Sequence, residues 1–352
     1  MKLCSPKAFL CLAFLVLLVA MLSGVLLGPV SIPFNALIKG LTSFFGFSQE
    51  TGNEDLQRQL LIVSAIRLPR MLLAALVGAC LAICGGAMQG LFRNPLADPS
   101  LIGVTAGASL GASLVIVFAG VWFQNGPIGE ALGLSLMVGG AFIGGSIAVM
   151  LVYRLATGAS TTSVATMLLA GIAISALAGA GNSLLSFYAD NEMLRRISLW
   201  QMGRLDGANW PRVLMAATVL AVLLAGLLSQ GRSLNALLLG ESEARFLGID
   251  VEQLKRRVVV LTALGVGVSV AVAGAIAFVG LVVPHIVRLA IGPDHRFLLP
   301  ASALLGSSLL VFADALSRLV VAPAELPVGI VTALLGVPFF FSLLVRQRSR
   351  VD

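Results

Sequence analysis

Apolar residues run in long blocks parted by short polar or glycine- and proline-rich breaks, and most blocks reach the ~20 residues that a helix needs to cross hydrocarbon. Blocks near residues 8–27, 71–92, 102–118, 132–155, 164–185, 213–228, 258–272, 297–316 and 328–345, with a shorter one closing at 284–288, predict about ten crossings. Open strand edges are not tolerated in lipid, so the predicted class is all-α and polytopic. The first block is too long for a signal peptide and lacks a small-residue cleavage site, and it reads as a retained span.

The break between the sixth and seventh crossings is different from the rest. In residues 234–250 the apolar positions Leu237, Leu238, Ala244, Phe246, Leu247 and Ile249 alternate with Glu241, Glu243 and Arg245, and Gly240 and Gly248 punctuate the run. That pattern predicts two short amphipathic helices with a glycine hinge before each exit. A simple loop needs few residues, so a structured insertion suggests a surface gripped by a partner. The alternative is a helix lying among lipid headgroups.

Other breaks place candidate chemistry. Span 2 carries Gly78, Gly85, Gly86 and Gly90, which permit close helix contact in lipid, and it ends sharply in Asn94, Pro95 and Pro99. The amphipathic stretch 187–212 holds Tyr188, Trp200 and Trp210, as expected at a membrane interface. Residues 274–280 read as a broken, re-entrant connection. Met88 and Gln89 lie on a helix expected near the axis, where cargo contact and core packing are both open.

Composition agrees: 58% of residues are hydrophobic and 11% charged, with a mean hydropathy of +1.01, far from a soluble domain. With both termini inside, nine of the 23 Lys and Arg fall outside: Lys39, Arg58, Arg67, Arg70, Arg195, Arg196, Arg204, Arg212 and Arg318. A basic outer face suits an acidic partner protein, and headgroup binding is the alternative for Lys39 and Arg212. Cys4, Cys11, Cys80 and Cys84 read as inert thiols in apolar helices. His285, at a span end, and His295, in a turn, read as capping or contact residues rather than ligands. Asp314 lies four residues from Arg318 on one helix face, which predicts a pair, and Glu325 is a candidate intramembrane acid.

Four stretches carry a family resemblance: RLPRMLLAALVGACLAICGGAMQGLFRNPLADPSLIGV at 67–104, LLLGESEARFLGI at 237–249, GAIAFVGLVVPHIVRLAIGPDHRFLLP at 274–300 and ELPVGIVTALLGVPFF at 325–340. Together the chain resembles the permease subunit of bacterial ABC importers for iron chelates (siderophore or heme) and vitamin B12. The resemblance implies a type II importer architecture, with residues 1–352 forming a single transmembrane permease domain. It implies that Leu239, Gly240, Glu241, Ala244, Leu247 and Gly248 couple to a separate ATPase. Arg67, Arg70 and Arg318 resemble residues that receive a periplasmic binding protein. Asn94 and Leu96 match one cytoplasmic gate, and Ser163, Val164 and Ala165 the other; Val164 and Ala165 depart from the run of hydroxyl residues in the B12 permease.

The implied assembly is a homodimer with two ATPase subunits in the bacterial inner membrane, multi-pass, with both termini cytoplasmic and no nucleic-acid partner. The chain contains no G-x-x-x-x-G-K-[ST] loop, so ATP and Mg are expected on the partner, with no cofactor and no catalysis here. An iron chelate, heme or a ferric siderophore, is favoured as cargo over vitamin B12. An ion-coupled secondary transporter, the rival class, usually needs midplane acids or histidines, and a membrane enzyme needs a reactive cluster; neither stands out.

Overall fold

The computed structural model describes residues 5–27, 58, 61–119, 127–158, 161–322 and 324–348. Most of the polar segment 43–59, together with Lys2, Lys39 and Arg350, lies outside them, as do the side chains of Arg346 and Arg348.

Thirteen α-helices make up the described residues: α1 Pro6–Leu26, α2 Leu68–Leu91, α3 Val104–Ala119, α4 Pro127–Ala156, α5 Val164–Tyr188, α6 Asn191–Gln201, α7 Trp210–Ser229, α8 Gly231–Leu237, α9 Glu241–Phe246, α10 Val251–Ala273, α11 Val279–Ile291, α12 His295–Leu319 and α13 Val328–Arg348. Seven of the helical segments are long and apolar enough to cross a membrane. Three more, Val104–Phe118, Val279–Ile291 and Val328–Ser342, are shorter and apolar, so ten apolar helices stand where the sequence predicts ten crossings.

Several boundaries differ from expectation; the seventh crossing, expected from residue 258, begins as α10 at Val251. Span 2 starts earlier than residue 71, because a π-turn, Ile62–Arg67, runs directly into α2. Pro69 has no N–H to give, and the widened turn lets the Leu68 N–H reach the Val63 carbonyl instead. The short eighth crossing, expected to close at 284–288, runs slightly further. It continues as α11 to Ile291, with the proline inside, because one missing hydrogen bond is outweighed by packing along the buried face of this helix.

Helix α2 is the axle. In its apolar window 83% of residues are buried, against 22% for α1 and α5, and it packs on α7, α10, α11 and α12. Glycine makes this possible. A Cβ at Gly78 would overlap the Gly306 carbonyl of α12, one at Gly306 would overlap the Gly78 carbonyl, and one at Gly85 would overlap the Gly280 carbonyl of α11. With little hydrophobic drive between helices in lipid, such close contact supplies the dispersion that holds the bundle.

The connection 274–278 is irregular, as the sequence predicts, with Gly274 and Phe278 both at positive φ. The stretch 187–212 contains the amphipathic helix α6, whose N-cap Asp190 accepts from the Met193 N–H. Trp200 is buried, and Trp210 stays exposed at the start of α7.

Candidate functional site

At one end of the bundle the polar island folds into two short helices, α8 and α9, joined through Gly240 at φ 133° and closed by Gly248 at φ 80°. Both φ values lie where a side chain would strain the backbone, which accounts for the two glycines. Leu234 and Leu237 of α8 are buried, and Ala244 is the one buried residue of α9. Of the other apolar groups, Leu238 and Ile249 are half-buried, and three face outward: Phe246 is 91% exposed, Leu239 68% and Leu247 63%. Three large apolar side chains held out on a short, glycine-bounded hairpin form a knob suited to a complementary groove.

Two polar attachments hold this hairpin. Asn235 of α8 donates to Asp294 Oδ1 at 2.7 Å and accepts from the His295 backbone N–H at 2.8 Å. The His295 Nδ1 lies 2.8 Å from the same Asn235 oxygen, and its ring fills the space beside Gly90, just before α2 ends. His295 is therefore an internal contact, as the sequence reading expects. Asp294 caps α12; the Arg296 guanidinium, and then the Asn235 amide, hold its carboxyl well below the usual carboxylate range. His285 is also a packing residue, edge-on to Phe339 at 6.1 Å.

The second attachment is Lys255. It is 1% exposed and donates to Glu241 at 2.9 Å, to Glu252 at 3.2 Å and to the Thr162 carbonyl at 2.8 Å. Arg245 reaches the same two carboxylates, at 3.9 and 3.4 Å. In the sequence Lys255 is the first of three consecutive basic residues, followed by Arg256 and Arg257. The discriminating signal is helix phase: Lys255 falls on the buried stripe with Val251, Val258 and Thr262, and its two neighbours are exposed.

The two residue groups matched to gates lie at this same end. Asn94 follows α2, is exposed, and its Oδ1 accepts from the Leu96 N–H at 2.9 Å. The preceding Arg93 has φ 50°, the left-handed conformation that turns the chain out of the helix. Ser163 caps α5, accepting from Thr166 N–H at 3.2 Å; Val164 is half-buried and Ala165 exposed. At the two ends of the α4–α5 turn Thr157 bridges Thr162, and the Ser163 N–H reaches the Ala156 carbonyl.

At the opposite end lie the three arginines matched to docking, and all are buried. Arg67 donates to the Val25 carbonyl at 2.6 Å. Arg70 meets Asp314 at 2.9 Å and Glu325 at 2.7 Å. Arg318 meets Asp314 at 3.2 Å and the Gly24 and Leu27 carbonyls at 2.8 and 3.1 Å. The Asp314–Arg318 pair expected from spacing is present, and Glu325 has found a partner. In this arrangement the arginines hold α1, α2 and α12 together, so pairing with another protein requires these internal bonds to be exchanged.

Met88 is fully buried, and Gln89 bonds the Leu281 carbonyl and Arg288. A cavity of about 330 Å³ opens between α2, α10 and the 274–278 connection, walled by Leu81, Val266, Val270 and Phe278, with Asp98, Ser100 and Thr105 as its polar lining. Among the described residues no group of three His, Cys, Asp or Glu is placed to hold a metal.

The profile of the FecCD transport family matches residues 14–346. This chain belongs to that family. Among FecCD relatives, the hemin transport system permease protein HmuU of Yersinia pestis is 49% identical over 286 residues, 81% of this chain and 83% of its own. The cobalamin import system permease protein BtuC of Halobacterium salinarum is 45% identical, over 82% of this chain and 74% of its own. A solved structure described as an inward-facing conformation of a metal-chelate type ABC transporter superposes with a TM-score of 0.81 at 31% identity, covering 97% of this chain and 99% of that one. As a FecCD protein the chain is a multi-pass ABC importer permease, a translocation subunit with the all-α type II architecture.

Proposed function

We infer that this permease passes an iron chelate, heme or a ferric siderophore, from a periplasmic binding protein into the cytoplasm, powered by ATP hydrolysis on a separate subunit. The observation that carries the coupling is the knob of Leu239, Phe246 and Leu247, kept in the open by a hairpin whose inner face is anchored. The 49% identity to a hemin permease supports the cargo class. Two copies of the chain with two ATPase subunits sit in the inner membrane, both termini cytoplasmic, with the hairpin on the inside. There Leu239, Gly240, Glu241, Ala244, Leu247 and Gly248 form the coupling element. Asn94 and Leu96 close one part of the exit, and Ser163, Val164 and Ala165 the other.

The end built on Arg67, Arg70 and Arg318 receives the binding protein. Because their guanidinium groups are engaged within the chain, exposed cations nearby supply much of the first attraction. Arg195 on α6 is the strongest candidate, with Arg196 beside it exposed but paired with Glu192 at 2.6 Å.

Reconstitution tests the reading. Proteoliposomes holding the permease with its ATPase on the luminal side, and hemin-loaded binding protein outside, should accumulate hemin only with internal ATP, and not with a pH or sodium gradient alone. Gradient-driven uptake that ignores ATP overturns it. Cyanocobalamin accumulation with no hemin uptake moves the cargo to the corrinoid class, for which the 45% identical cobalamin permease is the precedent.

A further inference from the structure

Lys255 gathers three parts of the chain onto one nitrogen. Glu241 belongs to α9, the exposed coupling element; Glu252 belongs to the first turn of α10; Thr162 is the last residue of the α4–α5 turn before Ser163. An ammonium has three donors and no acceptor, and here each donor has its own acceptor. Thr162 is held at both backbone ends, because its N–H also donates to Glu252 Oε2 at 2.8 Å. The turn that carries the Ser163 to Ala165 segment is thus tied to the hairpin through Lys255 and Glu252.

A buried lysine is a costly way to stabilise a bundle. Apolar side chains of similar volume often serve as well or better, and the neighbouring positions Val251, Leu254 and Val258 are apolar. What the ammonium adds is direction, since its bonds fix Glu241 and the Thr162 carbonyl relative to each other. Little else anchors α9, in which Ala244 is the one buried residue.

We propose that Lys255 is the positioning residue that carries displacement of the coupling helix α9 to the α4–α5 turn, and so sets the position of the segment from Ser163 to Ala165 during the transport cycle. When the ATPase shifts Glu241, the carboxylate pulls on the ammonium, and the ammonium moves the Thr162 carbonyl. This rests on the coupling and gate assignments above and adds the route between them.

The test uses the complex of full-length permease and ATPase in nanodiscs, with Cys4 and Cys11 replaced by Ser and a reporter Ala165→Cys. Labelling by a hydrophilic maleimide is compared between the nucleotide-free and the ATP-trapped complex. With Lys255 present the labelling rate should change between the two states. In Lys255→Met, which removes all three bonds of the ammonium, that nucleotide-dependent change should shrink at least about tenfold, the factor that even one lost charge-assisted hydrogen bond carries, while ATP hydrolysis stays within about twofold. In the assembled complex, hydrolysis that falls along with the labelling response marks a merely structural lysine and overturns the proposal, as does an undiminished labelling response. If Lys255→Met does not assemble, Glu252→Gln decides. It keeps the ammonium and weakens the hold on the Thr162 N–H, so a reduced response is expected, and an unchanged one overturns the proposal. No nucleotide response in the Lys255 parent instead removes Ala165 from the gate, a failure of the underlying assignment that is distinct from failure of the route.

Discussion

Arg70 and Asp314 lie 244 positions apart in the chain, yet their side chains meet at 2.9 Å, with the Asp314 carboxylate 1% exposed. Arg318 approaches the same carboxylate from its own helix. One acid therefore balances two buried cations, and Glu325 supplies the second negative charge from the rim.

Removing that acid should be severe. Asp314→Ala leaves Arg70 and Arg318 close together with Glu325 as the remaining counter-charge, and breaking such a buried pair costs about 3–5 kcal/mol. Thermal unfolding in detergent should show a large drop in Tm or no folded protein. Glu325→Gln, at a side chain about a third exposed, should cost under about 1 kcal/mol. Equal Tm values for the two variants would contradict this account of the cluster.

The same geometry changes how docking is tested. Arg70→Glu sets a third acid beside Asp314 and Glu325, so lost binding in that variant reports a damaged fold. The informative change is Arg195→Glu with Arg196→Glu, on the exposed face of α6. The Kd for the binding protein should rise, more at low salt than at high salt because exposed charges are screened. An unchanged Kd at low ionic strength removes α6 from the interface.

Close helix crossing predicts a contrast between two glycines. Gly78→Leu drives a side chain into the Gly306 backbone of α12, where neither helix can give way, and should cost about 1–3 kcal/mol or more. Gly139→Ala in α4 has open space around it and should be neutral or slightly stabilising. Circular-dichroism melts of the two variants check this, and comparable losses would refute the crossing.

For the hairpin, Phe246→Ser should weaken capture of the ATPase by about 2 kcal/mol, the scale of an aromatic anchor at an interface, without lowering the Tm of the permease alone. Glu241→Arg should leave binding-protein docking intact while uptake stops following hydrolysis. Loss of docking in Glu241→Arg would mean that the hairpin faces the other side of the membrane.

The Asp294 cap has a definite pH signature. Its carboxyl is depressed in the folded chain, so its stabilising contribution is full above the ordinary carboxylate pKa of about 4 and is lost as pH falls through the lower folded value. Asp294→Asn should leave Tm against pH unchanged in shape from pH 8 to 5 and flatten the decline below about pH 4. A difference in shape confined to neutral pH would contradict that assignment.

Much of the architecture is legible in the sequence, because hydrocarbon thickness imposes a length on every apolar block and glycine marks each bend of the hairpin. The Asp314–Arg318 pair is legible too, being local to one helix turn. Arg70 is not: nothing near it names Asp314 or Glu325, and a count of charges by loop assigns it to an outer surface when it is interior. The end of α11, at Ile291 and not at the expected 284–288, is legible only approximately because Pro284 sits within the helix. A proline usually ends a helix, but packing between α2 and α11 carries this one through. Lys255 is the instructive middle case, hidden among three consecutive basic residues and recoverable from the phase of the apolar stripe.

Synthesis runs in one direction, and that gives the enclosed helix α2 a history. Its apolar window enters the bilayer long before α12 exists, so the chain first holds it with lipid on sides that protein later covers. Arg70 waits through that interval without its acid, kept near the headgroups by its own charge. The helix that ends as the axle must be swallowed after the fact, and a nascent chain stopped before Trp210, with α7, α10, α11 and α12 all still to come, should leave it as an ordinary lipid-bathed span.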